Sequence, residues 1–122
     1  MTYIGMLAVT MRSVTRKHLS VVSGRARFAQ VTVVELSAAD GGASAQQPIL
    51  ILNHREMQRQ SEDDNRFIGA AVQGVRETEA RLGWRGLPLH ISKIESSYVD
   101  MHPDAARAAA ISAATALIEG DQ

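Results

Sequence analysis

The chain has 122 residues, of which 45% are apolar and 4% aromatic, and it contains no cysteine. This length suits one domain with a single core, and the apolar content excludes a disordered chain. The lack of cysteine excludes disulfides and thiolate metal sites, and the formal net charge of zero argues against a general nucleic-acid coat protein.

Charge is unevenly distributed along this balanced chain. The basic residues up to Val34, with no acid among them, are Arg12, Arg16, Lys17, Arg25 and Arg27. This imbalance predicts one local basic surface. No apolar run approaches the roughly 20 residues that a membrane-spanning helix needs, and the opening MTYIGMLAVTMR lacks the basic leader of a signal peptide. We therefore expect a cytoplasmic protein with one domain over residues 1–122 and no membrane partner.

Three strands are predicted in the first half of the chain. YIGMLAVTMRSVT (3–15) is rich in β-branched and apolar residues, and RFAQVTVVEL (27–36) alternates around an apolar centre. The third, PILILN (48–53), begins with a proline, which suits the first residue of a strand. The stretch SAADGGASAQQ (37–47) is predicted to be a loop because of its glycine pair and polar composition.

A long helix follows Ser61. Ser61 and Asp64 predict an N-cap with acids in the first turn, and Gly83 predicts the C-terminal stop. The apolar stripe at helical spacing consists of Phe67, Ile68, Ala71, Val75, Thr78 and Leu82. Gly74 inside this helix costs about 1 kcal/mol relative to alanine, so it predicts close packing, which we expect to be against a strand.

The last strand and helix complete the predicted architecture. LPLHISKI (87–94) alternates as a strand with one buried face, and Pro103 suits the first position of a helix capped by His102 or Asp100. This helix is predicted to extend to about Ile118. One of its faces carries mostly small side chains, which predicts close approach to the neighbouring element; that face contains Ala106, Ala110, Ala114 and Leu117. The order β-β-β-α-β-α predicts an α+β two-layer sandwich, with both helices on one face of about four strands.

Two turns are the candidate binding surfaces. The turn from Ser23 to Arg27 combines arginines with backbone amides, which suit phosphate binding, although a solvated hairpin turn has the same composition. In the turn ESSYVD, Tyr98 could stack on an unpaired base, and a half-buried tyrosine is the alternative. The candidate RNA-binding or ribosome-binding residues are Ser23, Gly24, Arg25, Arg27, Ser96, Ser97 and Tyr98.

The sequence predicts no catalytic, metal or nucleotide site. The histidines, at 18, 54, 90 and 102, are too widely spaced to suggest a transition-metal site, and the acids at 62–64 are explained as first-turn helix charges. There is no Gly-x-Ser-x-Gly and no GxxxxGK[ST]. We therefore expect a protein that is not an enzyme and uses neither a cofactor nor a nucleotide.

Three stretches together resemble domain IV of bacterial elongation factor G. RKHLSVVSGRARFAQVTV resembles the family's Arg-Lys followed by Gly-Gly-Arg-Gly-Gln-Tyr/Phe-Gly-His-Val, with Arg27 in place of the glutamine. FIGAAVQGVRETEARLGWRGLPL resembles its AVEKGVREA helix and following strand, and VDMHPDAARAAA resembles Val-Asp-Ser-Ser and an alanine-containing helix. The likeness covers roughly residues 12–118. The matching positions include Gly24, Arg25, Phe28, Val31, Gly74, Val75, Arg76, Glu77, Gly86, Pro88, Val99, Asp100, Ala105 and Arg107.

The resemblance implies a ribosomal-protein-like fold with a left-handed β-α-β crossover, and it implies that the two turns contact the ribosome or ribosomal RNA. The chain departs from the family in lacking any GTPase part, the usual Gly-Gly-x-Ile-Pro and the histidine of the second turn. We therefore expect a free-standing, non-catalytic, translation-factor-like domain. The alternative is a protein-interaction module or homodimer that kept the fold without a ribosomal role, and a small enzyme is a third hypothesis by analogy alone.

Overall fold

A computed structural model describes residues 10–36, 48–57, 61–97 and 100–120. In chain order its elements are β1 (Thr10–Val22), β2 (Arg25–Leu36), β3 (Ile49–Leu52), β4 (Arg55–Glu56), α1 (Glu62–Leu82), β5 (His90–Ser96) and α2 (Pro103–Glu119). The predicted α+β class is confirmed. The loop predicted at 37–47 and the start of the first predicted strand lie outside the described residues.

The strands form one mixed sheet in the order β1-β2-β5-β3-β4. β2 runs antiparallel to both β1 and β5, whereas β3 runs parallel to β5 and antiparallel to β4. The chain therefore passes from β3 through β4 and α1 to β5, which lies beside β3 and runs parallel to it. The left-handed sense implied for this crossover stays a prediction.

The helices bury one face of the sheet. Along β2, Ala29, Val31 and Val33 are fully buried, while the alternate residues Gln30 and Thr32 are only half-buried. Buried residues of both helices and of all the strands except β4 belong to one core cluster. The two layers are thus a helix layer and a sheet, as the alternation in the sequence predicted.

Small residues bring the two helices and the sheet close together. On α2 the predicted face is fully buried, with Ala106, Ala110, Ala114 and Leu117 all at 0% exposure, and the helix contacts β1, β2 and α1. The partner predicted for Gly74 is wrong: its Cα faces α2, not a strand, because the two helices lie side by side on the sheet.

The helix ends follow their sequence signals. Ser61 Oγ accepts from the Asp64 amide at 3.1 Å, and the Asp64 carboxylate accepts from the Ser61 amide at 3.0 Å, which completes a capping box. Gly83 ends α1 in the left-handed conformation, and His102 caps α2 ahead of Pro103. Within the described residues, no helix has an apolar stretch long enough to cross a bilayer.

Three details of the predicted sheet need correction. The first strand continues to Val22 instead of ending at residue 15, because its pairing with β2 reaches a tight turn after Val22; residues 3–9 of the prediction lie outside the described residues. The described residues form five strands instead of about four, because the chain reverses after Leu52 and pairs Arg55 and Glu56 back onto β3. The strand predicted at 87–94 spans 90–96, so Ser96 belongs to β5.

Candidate functional site

The predicted site residues lie at one end of the sheet. β1, β3 and β5 all run in the same direction, because β2 is antiparallel to β1 and β5, and β3 is parallel to β5. The end where these three strands finish, which we call the upper end, therefore carries the turn after Val22, the turn after Leu52 and the segment after Ser96. Sequence order alone could not show that these segments are neighbours.

The turn between β1 and β2 is tighter than predicted. Val22 and Arg25 are register partners, so only Ser23 and Gly24 connect the strands. Both have positive φ, at 54° and 77°, as a type I′ hairpin turn requires. The predicted turn from Ser23 to Arg27 is therefore corrected: Arg25 and Arg27 are strand residues whose direction is fixed by the sheet.

The tip of this hairpin projects beyond the rest of the sheet. β5 pairs with β2 only as far as Gln30, opposite Glu95, and the amide of Phe28 then donates to the Asp100 carbonyl at 3.1 Å. Beyond Phe28 the two strands pair only with each other up to Arg25, a projection of about 10 Å. We call residues 16–28 the hairpin arm.

The two faces of the hairpin arm differ in chemistry, since cross-strand partners share a face and successive residues alternate. The face on the helix side of the sheet, which we call the basic face, carries Arg16, His18, Arg25 and Arg27 together with Ser20 and Val22. The face on the open side, which we call the apolar face, carries Leu19, Val21, Ala26 and Phe28 together with Lys17. Leu19 and Val21 are 61% and 69% exposed. The arm therefore offers mainly positive charge on one side and mainly apolar contact on the other.

Positive charge on the hairpin arm is not neutralised by the described residues. Arg12, at the far end of β1, pairs with Glu35 at 2.7 Å. Arg16 donates instead to a backbone carbonyl, that of Thr15, at 3.3 Å. In the described ranges, the ion pairs of the domain involve neither Lys17 nor Arg25 nor Arg27.

A pocket of about 500 Å³ opens at the base of the hairpin arm. Its lining residues are Phe28, Asn53, His54, Glu95, Ser96, Ser97 and Asp100. The Ser96 hydroxyl donates to the Phe28 carbonyl at 2.5 Å, and the Asn53 amide donates to the Ser96 carbonyl at 3.1 Å. These bonds join the arm, the end of β5 and the turn after β3 around the pocket.

Two acidic residues, Glu95 and Asp100, are among the residues that line the pocket. The Glu95 carboxylate lies 3.4 Å from the Lys93 ammonium group. The Asp100 amide donates to both the carbonyl and the hydroxyl oxygen of Ser97, each at 3.2 Å. The pocket and the hairpin arm thus share the upper end of the sheet, and the pocket adjoins the arm through Phe28 on its apolar face.

The upper end of the sheet brings together site residues that the sequence predicted and others that it did not. Of the predicted residues, Ser96 and Ser97 line the pocket, Ser23 and Gly24 form the arm's turn, and Tyr98 lies outside the described residues. Phe28, matched on the resemblance alone, joins the two groups because it belongs to both the arm and the pocket. Sequence reasoning missed the pocket residues Asn53, His54, Glu95 and Asp100.

The second hairpin turn had a signal that was overlooked. Leu52 and Arg55 are register partners, and Asn53 and His54 between them have φ of 53° and 67°. Asparagine is among the residues that adopt this left-handed conformation most readily. An Asn-led polar pair directly after the apolar run ILIL could have indicated a type I′ turn and a fourth strand.

In the part of the chain that the structure describes, no group of three or more His, Asp or Glu side chains could hold a metal ion. The upper end presents a projecting cationic arm beside a concave pocket whose lining includes two acidic residues.

No family model matches this chain, and no significant match is found among curated proteins or solved structures. The resemblance to domain IV of elongation factor G stays a prediction from the residues that carry it.

Proposed function

We propose that this chain is a non-catalytic, translation-factor-like domain that binds the ribosome, or another structured RNA, through its hairpin arm. The observation that carries the proposal is the projection of Arg25 and Arg27 beyond the sheet with no described acidic partner. Guanidinium groups bind phosphates with charge-assisted, often bidentate hydrogen bonds. A narrow arm that presents them is suited to reach into a groove that a flat surface could not enter.

The neutral net charge is compatible with such a local contact. Phosphate binding depends on the charges that reach the nucleic acid, and those on distant faces are screened over about 8 Å at physiological ionic strength. Acidic side chains elsewhere are engaged in ion pairs, as Glu77 is with Arg107 and Glu79 with Arg76. The basic face therefore acts as a local cationic site on a protein whose other charged residues have a slight acidic excess.

Charge also opposes the simplest form of self-association. β1 is an edge strand, and an edge strand can pair with a second copy of itself. Antiparallel pairing of two β1 strands centred on Lys17 would place Lys17 of one copy opposite Lys17 of the other, and Arg16 opposite His18. Like charges opposite each other destabilise a strand pair, so the edge favours an anionic partner.

Co-sedimentation with purified ribosomes at low and moderate salt tests the proposal. Arg25→Ala combined with Arg27→Ala should weaken binding and lower the slope of log affinity against log salt by about 1 to 2. The matched control is Arg81→Ala with Arg85→Ala, since both exposed arginines lie near the start of β5, at the opposite end of the sheet.

Saturable binding that is lost only in the Arg25/Arg27 variant supports the proposal. Equal loss in both double variants would reduce the contact to general charge attraction. An absence of ribosome binding by the wild-type chain at both salt concentrations would refute ribosome binding, and the same variants would then be compared on a structured RNA.

A protein-interaction or self-association role is the second candidate. The apolar face of the arm favours it, because Leu19 and Val21 are more than half exposed and Ile49 on β3 is 45% exposed. Sedimentation velocity over a wide concentration range distinguishes this role. A dimer that Leu19→Glu with Val21→Glu abolishes would support it, whereas a monomer at all concentrations would leave only a different protein as partner.

A further inference from the structure

We propose that the pocket at the base of the hairpin arm binds one unpaired guanine of the RNA that the arm engages. This inference rests on the proposed function and adds to it a base preference. Protein sites that read single-stranded RNA stack an exposed base on an aromatic side chain and bond its Watson–Crick edge. Phe28 supplies the ring, and Glu95 and Asp100 supply acceptors for an edge.

The hydrogen-bonding pattern of the pocket selects among the bases. Guanine has two adjacent donors on its Watson–Crick edge, N1–H and the N2 amino group, which match the two oxygens of a carboxylate. Adenine and cytosine place an acceptor nitrogen beside their amino group, and uracil has a single N–H between two carbonyls. A carboxylate such as that of Asp100 therefore pairs fully with guanine and meets a repelling acceptor on the other three.

Hydrogen bonds within the protein position the pocket wall. The backbone of Asp100 bonds to Phe28 at 3.1 Å and to Ser97 at 3.2 Å, and Ser96 ties its hydroxyl to Phe28 at 2.5 Å. These bonds use backbone groups and the hydroxyls of Ser96 and Ser97, which leaves the Asp100 carboxylate out of the network that positions it. A preorganised wall reduces the entropy lost on binding.

An arginine side chain of a partner protein is the competing ligand class, because a guanidinium also presents two parallel donors to a carboxylate. The charge of the arm favours the RNA. Phe28 lies on the apolar face, and the next residue toward the tip, Arg27, lies on the opposite, basic face with Arg25; this positive charge repels a cationic peptide and attracts a polyanion. Guanine brings the required donors on a polymer whose phosphates the arm can hold.

Fluorescence anisotropy with labelled single-stranded oligonucleotides tests the inference. Four uridine-rich octamers of equal charge would carry G, A, C or U at one central position, and an arginine-rich peptide would be titrated in parallel. We expect the guanine octamer to bind about tenfold tighter than the other three, since one good bidentate pair discriminates to this degree.

Asp100→Asn should remove most of this preference, because an amide offers one donor and one acceptor instead of two acceptors. Asp104→Asn is the matched control: it removes the same charge at the same end of the sheet, from an exposed helix position outside the pocket. Both variants should bind the uridine octamer equally, which also checks that Asp100→Asn is folded.

The outcomes separate the base site from the proposed function. Binding that needs Arg25 and Arg27 but is equal for all four octamers overturns the guanine site and keeps the RNA-binding arm. Preference for guanine that survives Asp100→Asn also overturns the site. Failure of every octamer, with Asp100-dependent binding of the arginine-rich peptide, overturns both and assigns the pocket to a protein ligand.

Discussion

The Cα of Gly74 on α1 lies directly against the backbone carbonyl of Arg107 on α2. A Cβ at position 74 would be 2.7 Å from that oxygen, 3.2 Å from Ile111 Cγ1 and 3.3 Å from Ala110 Cβ. The carbonyl is main chain and cannot rotate away as a flexible side chain can. The absence of a side chain at residue 74 therefore sets how closely the two helices approach.

We expect Gly74→Ala to destabilise the domain by about 1 to 3 kcal/mol, as overpacking in a close interface does. Alanine gains about 1 kcal/mol over glycine in helix propensity, and the net loss expected here means that the steric cost outweighs this gain. Gly69→Ala on the same helix is the control, since a Cβ there meets no atom within 4 Å. Urea unfolding should show opposite signs for the two variants, and stabilisation by both would contradict the packing argument.

Gly24 is required for a different reason, its backbone conformation. A Cβ at Gly24 meets nothing within 4 Å, but its φ of 77° is in the left-handed region. Gly24→Ala should therefore cost about 1 to 2 kcal/mol from φ alone. Gly24→Asn should cost less, because asparagine tolerates this region. Equal losses in thermal unfolding would show that side-chain volume, not φ, determines the effect.

An ion pair on α1 holds the backbone that leads into β5. Arg76 and Glu79 pair at 2.6 Å, and both bond the buried Leu89: Glu79 accepts from its amide at 2.7 Å, and Arg76 donates to its carbonyl at 3.0 Å. Glu79→Gln keeps the shape but replaces one acceptor oxygen with a donor group. We expect a loss of about 1 to 2 kcal/mol in the free energy of unfolding.

Glu77→Gln is the comparison for this prediction. Glu77 pairs with Arg107 at 2.5 Å, a shorter contact than either made by Glu79, but the side chains of both Glu77 and Arg107 are at least 40% exposed. Exposed ion pairs contribute at most about 1 kcal/mol. If Glu77→Gln lowers the free energy of unfolding more than Glu79→Gln does, the stabilisation by these ion pairs depends on contact length and not on burial and bonding to the backbone.

The sequence predicted what depends on local pattern. The capping box at Ser61, the stop at Gly83 and the alanine face of α2 were all readable, because each depends on residues within a few positions of one another. The pocket could not be predicted from the sequence, because Phe28 and Asp100 are far apart along the chain and become neighbours only because β2 and β5 are adjacent in the sheet. The partner of Gly74 was missed for the same reason: a sequence shows that a glycine needs room but not which element requires it.

Stability should fall as the pH is lowered, through His90 at the start of β5. Burial of the imidazole, and secondly the positive charge of Arg76, lower the pKa of His90 below its usual 6.5. The unfolded chain therefore binds a proton at a pH where the folded chain does not, so the free energy of unfolding decreases as the pH falls through 6.5. The decrease ends once the pH is below the folded pKa, where both states are protonated.

His90→Gln should flatten this part of the stability profile relative to the wild-type chain. Urea unfolding at half-unit steps between pH 7.5 and 4.5 gives the comparison. Only slopes are compared, so any pH-independent cost of the substitution cancels. A wild-type profile that rises on acidification, or one that His90→Gln leaves as steep, would show that burial at the start of β5 does not disfavour the charged imidazole.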